Sequence, residues 1–383
     1  MCGICGVIQL DGSRVPALAE RLAQMNTLQA HRGPDGEGCW EHRSGMVGFG
    51  HRRLQIIDLE TGAQPMRDAA SGCVITFNGE IYNYRELRSE LGAHEFRTAS
   101  DTEVILRAWL RWGAACVTRL RGMFAFAIWD ERDGTLFAAR DRFGVKPFYY
   151  TAQQDRVHFA SEAKALLPFL PRVETDVDGL RDYLTFQLCL GGKTMFEGVR
   201  ELPPGHALTI QRGTVRESRY WDVRFELDFT HRASWFEERT RELLDDSVRA
   251  HMQADVPVGA YVSGGIDSGV ITALAAQQDS SLHAFTGTYA LGADYDESHH
   301  AAAVAEHVGA TLHTQQITVD HFMRDIGAVM YHLDYPVAGP GSFSQFEVSA
   351  LAATHRKVVL GGQGGDEIFG GYTRYLLAYF EQC

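Results

Sequence analysis

The sequence predicts two domains in succession: a strand-rich first half, then an α/β half built as a doubly wound parallel sheet. Three observations carry this. A chain of 383 residues is long for one domain. Its first half holds short apolar segments of strand length, Cys73 to Phe77, Met123 to Trp129, Leu136 to Ala139 and Phe148 to Thr151. Its second half alternates strand and helix patterns, with two glycine-rich turns at strand ends.

Composition narrows the class. With 45% hydrophobic and 22% charged residues the chain can bury substantial cores. A net charge of −13 with scattered basic residues argues against a nucleic-acid groove and for small-molecule substrates. No apolar run approaches the ~20 residues of a membrane span and no secretory leader is evident, so a cytoplasmic protein is expected. The odd count of seven cysteines is no disulfide framework. Cys2-Gly3-Ile4-Cys5 could be half a zinc site or a redox pair, but no second CxxC or paired histidines complete it.

In chain order, Val7 to Leu10 reads as a strand closed by a turn at Asp11-Gly12. Removal of Met1 would leave Cys2 first, and a free α-amine, titrating near 7.7–8.0, can serve as base for its own thiol. Further on come His31-Arg32-Gly33-Pro34-Asp35-Gly36, Gly50-His51-Arg52-Arg53-Leu54, Phe77-Asn78-Gly79-Glu80-Ile81-Tyr82-Asn83 and Ser100-Asp101-Thr102-Glu103. With MCGICG, and with FGVKPFYY and ASEAK between Phe143 and Lys164, these resemble in order and spacing the glutaminase domain of class II glutamine amidotransferases. That resemblance implies an N-terminal-nucleophile αββα sandwich over about residues 2–215. It implies that Cys2 attacks the glutamine carboxamide and that Asn78 and Gly79 donate to the oxyanion. It further implies that Arg53 clamps the substrate α-carboxylate, with Leu54 beside it, and that Glu80 and Asp101 hold the α-ammonium. Taken singly, Asn78-Gly79 also reads as a hairpin turn, Arg53 as a surface ion pair and Ser100-Asp101 as the cap of a helix over Glu103 to Trp112.

A turn at Glu201 to His206 precedes what reads as the last strand of this half, Ala207 to Ile210. Val223 to Arg232 lacks periodicity and reads as a linker before an amphipathic helix from Ser234 to about Met252. The second domain, about 233–383, opens with strand Val258 to Val262, the turn Ser263-Gly264-Gly265-Ile266-Asp267-Ser268 and a helix through Ala276. Such a turn at a helix start suits phosphate oxygens: the glycines allow close approach, Ser263 and Ser268 offer hydroxyls, and Asp267 can take Mg²⁺. Strand Leu282 to Thr288, a helix from Ser298 to His307, strand Thr311 to Ile317, helices from near Asp320 and over Phe346 to Thr354, and strand Lys357 to Leu360 follow. The last opens into Gly361-Gly362-Gln363-Gly364-Gly365-Asp366-Glu367.

SGGIDS resembles the pyrophosphate loop of ATP pyrophosphatases, of the adenine nucleotide α-hydrolase type. A class II glutaminase followed by such a domain resembles the glutamine-hydrolysing asparagine synthetase family. The resemblance implies ATP at Val262, Ser263, Gly264, Gly265, Asp267, Ser268, Thr286, Gly361 and Gly362, with Mg²⁺ on Asp267 and Asp366. It implies that an acceptor carboxylate, aspartate or another, is activated as its AMP ester and receives the glutamine-derived ammonia. It leaves a homodimer open.

Several features depart from that pattern. Gln363 replaces the glutamate of SGEGADE and cannot act as a base. Gly269 stands where serine is usual, and Leu333 to Phe346 does not resemble the familiar aspartate-binding run. The chain stops at Cys383 inside a helix-like run, so a shortened or partial protein is expected, lacking the lysine that steadies the adenylate. Three readings stay open: asparagine synthesis, amidation of a different carboxylate, and a glutaminase or nucleotide-binding remnant. The intact set of Cys2, Arg53, Asn78 and Asp101 speaks against a metabolite-cyclising relative.

Overall fold

A computed structural model describes every residue except 93–95, 154, 291, 293–294, 337–340 and 383. Part of the Leu333–Phe346 run and the terminal Cys383 therefore lie outside the described residues. The chain divides into two units, Met1–Glu226 and Leu227–Cys383.

Unit one carries strands β1 (Gly3–Gln9), β2 (Gly36–Glu41), β3 (Val47–Arg53), β4 (Met66–Arg67), β5 (Val74–Ile81), β6 (Gly122–Asp130), β7 (Thr135–Arg140), β8 (Tyr149–Gln153), β9 (Arg156–Ala160), β10 (Arg200–Glu201), β11 (His206–Gln211) and β12 (Thr214–Arg219). Its helices are α1 (Leu18–Leu28), α2 (Tyr84–Leu91), α3 (Asp101–Trp112), α4 (Cys116–Arg119) and α5 (Val177–Phe186). The strands form two six-stranded antiparallel sheets, ordered β10-β8-β9-β1-β3-β2 and β12-β11-β7-β6-β5-β4. Strand alternation builds the layers. In β6, Ala125, Ala127 and Trp129 face the first sheet's Ile4, Phe49 and Phe159. Phe124, Phe126 and Ile128, on the other side, pack against Val104, Ile105 and Trp109 of α3. Val7 of β1 turns outward onto Leu18 and Leu22 of α1. The result is four layers, helix, sheet, sheet and helix, as the resemblance implies.

The sequence missed some of this. Ala207 to Ile210 does not end the sheet, because β12 pairs along the whole of β11. The β12 sequence, TVRESR, is mostly exposed and carries no apolar alternation to announce it. Asn78-Gly79 is no hairpin turn: both residues lie inside β5, opposite Ala125 and Phe124.

Unit two contains α6 (Ala233–His251), β13 (Val258–Tyr261), α7 (Ile266–Ala276), β14 (His283–Tyr289), α8 (Ser298–Val308), β15 (Thr311–Ile317), α9 (Val319–Leu333), α10 (Gly341–Ala353), β16 (Val358–Leu360), α11 (Gly365–Phe369) and α12 (Thr373–Glu381). Its four strands are parallel, ordered β15-β14-β13-β16. Val258 and Ala260 pack toward α6 and α7. Tyr261 and Phe285 pack toward α9 and α10. Helices thus cover both faces, and the strand order reverses between β13 and β16, the crevice where such sheets take ligands. Among the described residues no helix is long and apolar enough to cross a membrane.

Candidate functional site

In unit one the predicted residues gather at the start of β1 and the end of β5. Cys2 lies just ahead of β1, whose Gly3 pairs with Arg52. The thiol accepts from the Leu54 N–H at 3.3 Å and faces the Leu54 carbonyl at 3.6 Å. Cys2 as a whole residue is half-buried. Burial of the thiol raises its pKa, against the Leu54 hydrogen bond. The Met1 α-amine is pushed down to about 5, first by burial, with Arg32 and Lys146 adding to the effect. The Met1 α-amine is therefore neutral near pH 7.

The edge of β5 is laid out by strand geometry. Residues two apart turn their N–H groups the same way. The Phe77 N–H donates to Gln64 Oε1 at 2.7 Å, and the Ile81 N–H donates to Asp101 Oδ2 at 3.0 Å. The Gly79 N–H therefore points to this same edge, between those two. A side chain at Gly79 would meet the Met123 carbonyl and the Phe124 backbone, so only glycine fits. Asn78 is 1% exposed, and its Nδ2 is buried with no hydrogen-bond partner among the described residues. A buried donor without a partner costs free energy of about 1–3 kcal/mol, and a substrate oxygen would relieve that cost.

Two buried carboxyls follow. Burial, together with the neighbouring Asp101 charge, pushes Glu80 up to about 7, while Lys146 pulls the other way. Burial raises Asp101 to about 6, against the hydrogen bonds it accepts. The α3 cap is Ser100, whose Oγ accepts the Thr102 N–H at 3.1 Å, which leaves the Asp101 side chain for Ile81. Arg53 is no surface ion pair. It is 8% exposed, and its guanidinium donates to the carbonyls of Asp58 and Leu59.

Sequence reasoning gave no role to a second set of charges. Arg32 Nε donates to the Cys2 carbonyl at 2.9 Å, and its NH1 to Glu162 at 3.0 Å. Glu162 also meets His31 at 2.8 Å and Lys164 at 2.6 Å. Burial would raise Glu162, but the His31 hydrogen bond, the Arg32 charge and the Lys164 hydrogen bond and charge hold it at about 2. Lys146 is 6% exposed and lies among Glu80, Cys2 and Asp141; burial lowers its pKa. Cys5 is not a partner for Cys2: it is buried against Asn26 Oδ1 at 3.4 Å.

In unit two the predicted loops meet at the strand-order reversal. Gly264 has φ +89°, a conformation glycine accepts at little cost. The Ser263 N–H donates to Ser268 Oγ at 3.0 Å, and that hydroxyl donates to the Gly265 carbonyl at 3.1 Å. Ser268 thus braces the turn from within, while Ser263 stays exposed. A side chain on Gly362 would strike Asp267 and the Ser268 N–H, and one on Gly365 would strike the Asp267 carboxylate. The two loops are therefore in contact, with Asp267 beside the residue that precedes Asp366. The Asp267 carboxylate at such a place fits Mg²⁺, which takes one or two protein oxygens together with phosphate, while the Asp366 carboxylate lies against Gly371.

Beside the first loop lies a cavity of about 370 Å³ lined by Val262, Ser263, Thr286, Tyr261, Tyr289 and Ser344, among others. Gly361 and Gly362 do not line it. Its size and mixed lining suit a heteroaromatic base with a sugar.

A family model described as glutamine amidotransferase domain matches residues 1–221, and one described as asparagine synthase matches residues 239–383. The chain is similar to "Asparagine synthetase (glutamine-hydrolyzing) 1" of Bacillus subtilis, 39% identical over 379 residues, covering 98% of this chain and 59% of that one. It is similar to "Putative asparagine synthetase (glutamine-hydrolyzing) 2" of Methanocaldococcus jannaschii, 33% identical, covering 99% of this chain and 77% of that one. "Amidase chry2" of Gibberella zeae is 35% identical, with 98% of this chain and 60% of that one covered. The chain spans about three fifths of the length of most of these curated relatives.

Proposed function

This chain belongs to the glutamine-hydrolysing asparagine synthetase family, and from that premise we propose that its first unit hydrolyses glutamine and its second uses ATP to activate the carboxylate that receives the ammonia. Cys2, first in the chain once Met1 is removed, attacks the glutamine carboxamide, and its own α-amine takes the thiol proton. Asn78 Nδ2 and the Gly79 N–H receive the oxygen of the tetrahedral intermediate. Arg53 meets the substrate α-carboxylate, and Glu80 and Asp101 meet its ammonium. A thioester to Cys2 forms as ammonia leaves, and water then releases glutamate.

In unit two the Ser263–Ser268 turn and the helix that follows receive the phosphates, and Val262 and Thr286 border the base. Asp267 and Asp366 would hold Mg²⁺, which neutralises charge on the triphosphate. Aspartate is the acceptor we favour, giving asparagine. Gln363, in a loop where the family pattern has glutamate, favours a different carboxylate as the second reading.

The observation that carries the proposal is the Asn78 amide nitrogen, buried without a partner among the described residues, next to the inward Gly79 N–H. Incubation with glutamine, aspartate and ATP·Mg tests it. Glutamate, AMP, pyrophosphate and asparagine are expected. ADP and orthophosphate would remove the adenylation step, asparagine absent with AMP present would redirect the acceptor, and no glutamate would remove the glutaminase.

A further inference from the structure

Three histidines of unit two converge far from the glycine loops. His283 is the first residue of β14, His313 lies in β15, and His355 lies in the turn between α10 and β16. Register explains their meeting. Phe285 pairs with His313, and His283 lies two residues before Phe285, so all three occupy the sheet face that packs on α9 and α10. The turn after α10 brings His355 over them. The imidazoles of His313 and His355 lie 4.1 Å apart by centroid, and Phe285 stacks beneath His313 at 5.2 Å.

We propose that His283, His313 and His355 form a binding site for a divalent transition metal of the Zn²⁺ class. One ring nitrogen from each lies within 4.8 Å of the others. His313 Nε2 and His283 Nδ1 are 3.1 Å apart. Two nitrogens on a tetrahedral Zn²⁺ at ~2.05 Å stand about 3.3 Å apart, so this pair already has the required spacing. His355 is exposed on a turn and needs a swing of about 1.5 Å at most to complete that spacing. Solvent can fill the fourth position.

Burial lowers the pKa of His283, with Arg356 and His355 acting the same way and Asp279 against them. Burial lowers that of His313 too, with His355, His283 and Arg356 acting the same way. Arg356 opposes a cation and the Asp279 carboxylate favours one. Imidazole donors without thiolate or a carboxylate cage select Zn²⁺ and its neighbours over Mg²⁺.

The site lies at the opposite end of the strands from the nucleotide loops. Gly259 pairs with His283, and the four residues from Gly259 to Ser263 span roughly 13 Å. A metal here would clip together β14, β15 and the lead into β16, and would stabilise the unit because only the folded chain presents the three ligands. The proposal does not depend on the glutaminase reading.

The test uses metal-free protein of the full sequence in a Cys39→Ala background, which removes the exposed competing thiol of unit one. Titration with Co²⁺ should show one ion bound per chain, with the visible d–d bands of a tetrahedral site and no thiolate charge-transfer band. Zn²⁺ should displace it and raise the unfolding temperature. His355→Ala, on an exposed turn that tolerates truncation, should weaken binding by at least about tenfold, since even losing a supporting partner of a ligand costs that much. His313→Ala should do the same. Absence of the bands, or binding unchanged in both variants, would overturn the site and leave the 3.1 Å contact as a hydrogen bond between two imidazoles. Neither outcome bears on glutamine hydrolysis.

Discussion

Arg32 Nε holds the carbonyl oxygen of Cys2 at 2.9 Å, while the same guanidinium reaches Glu162 at 3.0 Å. The proposed nucleophile is thereby fixed by its backbone, and its side chain and amine remain available. Lysine cannot span both partners as a planar fork. Arg32→Lys should lower kcat for glutamine hydrolysis by about 10–100-fold, the equivalent of one charged hydrogen bond at ~1.5–3 kcal/mol. A steady-state assay checks this, with KM changing much less.

Asn78→Ala removes a donor that has no partner among the described residues. Stability should hold, while kcat for glutamine hydrolysis falls about 10²–10³-fold, the usual effect of losing one oxyanion donor. Equal loss of kcat and thermal stability would make Asn78 structural.

Glu80 and Asp101 carry pKa values raised to about 7 and about 6 by burial. Their folded values exceed the unfolded ones of ~4, so the stability that goes with the neutral carboxyls is complete below pH ~4 and lost as pH rises through 6 to 7. Ammonium binding needs the ionised forms. We expect kcat/KM for glutamine to rise between pH 6 and 7.5, and glutamine to stabilise the chain more at pH 8 than at pH 5.5. Glu80→Gln should remove the upper part of the rise.

Glu162 has the opposite sign. Its pKa is held at about 2, below the unfolded value, so its contribution is complete above pH ~4.5 and lost as pH falls toward 2. The shift corresponds to about 3 kcal/mol. Glu162→Gln should destabilise unit one by a similar amount at pH 7, and the difference from the parent should vanish in acid denaturation near pH 2.

Gly362→Ala would drive a methyl group into Asp267 and the Ser268 N–H. ATP·Mg binding, measured by calorimetry, should weaken by more than about tenfold, since one such clash costs at least ~1.4 kcal/mol. Glutamine hydrolysis should be unaffected.

Much of the fold was legible because periodicity and glycine placement are local signals. The β13 turn, α7, β14, β15 and β16 fall where alternation and strand-end glycines predict them, and α6 follows its apolar stripe. The strand β3 was harder to read, because Gly48 and Gly50 look like loop residues. They are glycines because α1 lies on them: a Cβ on Gly48 would meet Leu18 and Leu22, and one on Gly50 would meet Asn26 and Cys5. The helix α1 shows its pattern only when Leu18, Leu22 and Met25 are taken as one face.

The family and the four-layer sandwich agree with the sequence reading. Roles for Arg32, Glu162 and Lys146 were not legible. Each sits inside a motif the resemblance used, yet its partners come from distant strands, and only the tertiary structure brings Glu162 to Arg32. The histidine cluster left no trace for the same reason: His283, His313 and His355 follow no metal-ligand spacing.

The most direct test is mass spectrometry of the N-terminal peptide after treatment with a glutamine-like diazo ketone. The account predicts a chain that begins at Cys2, with the label on that sulfur, and loss of glutamate release in step with labelling. A retained Met1, or a label on another residue with activity gone, would contradict it.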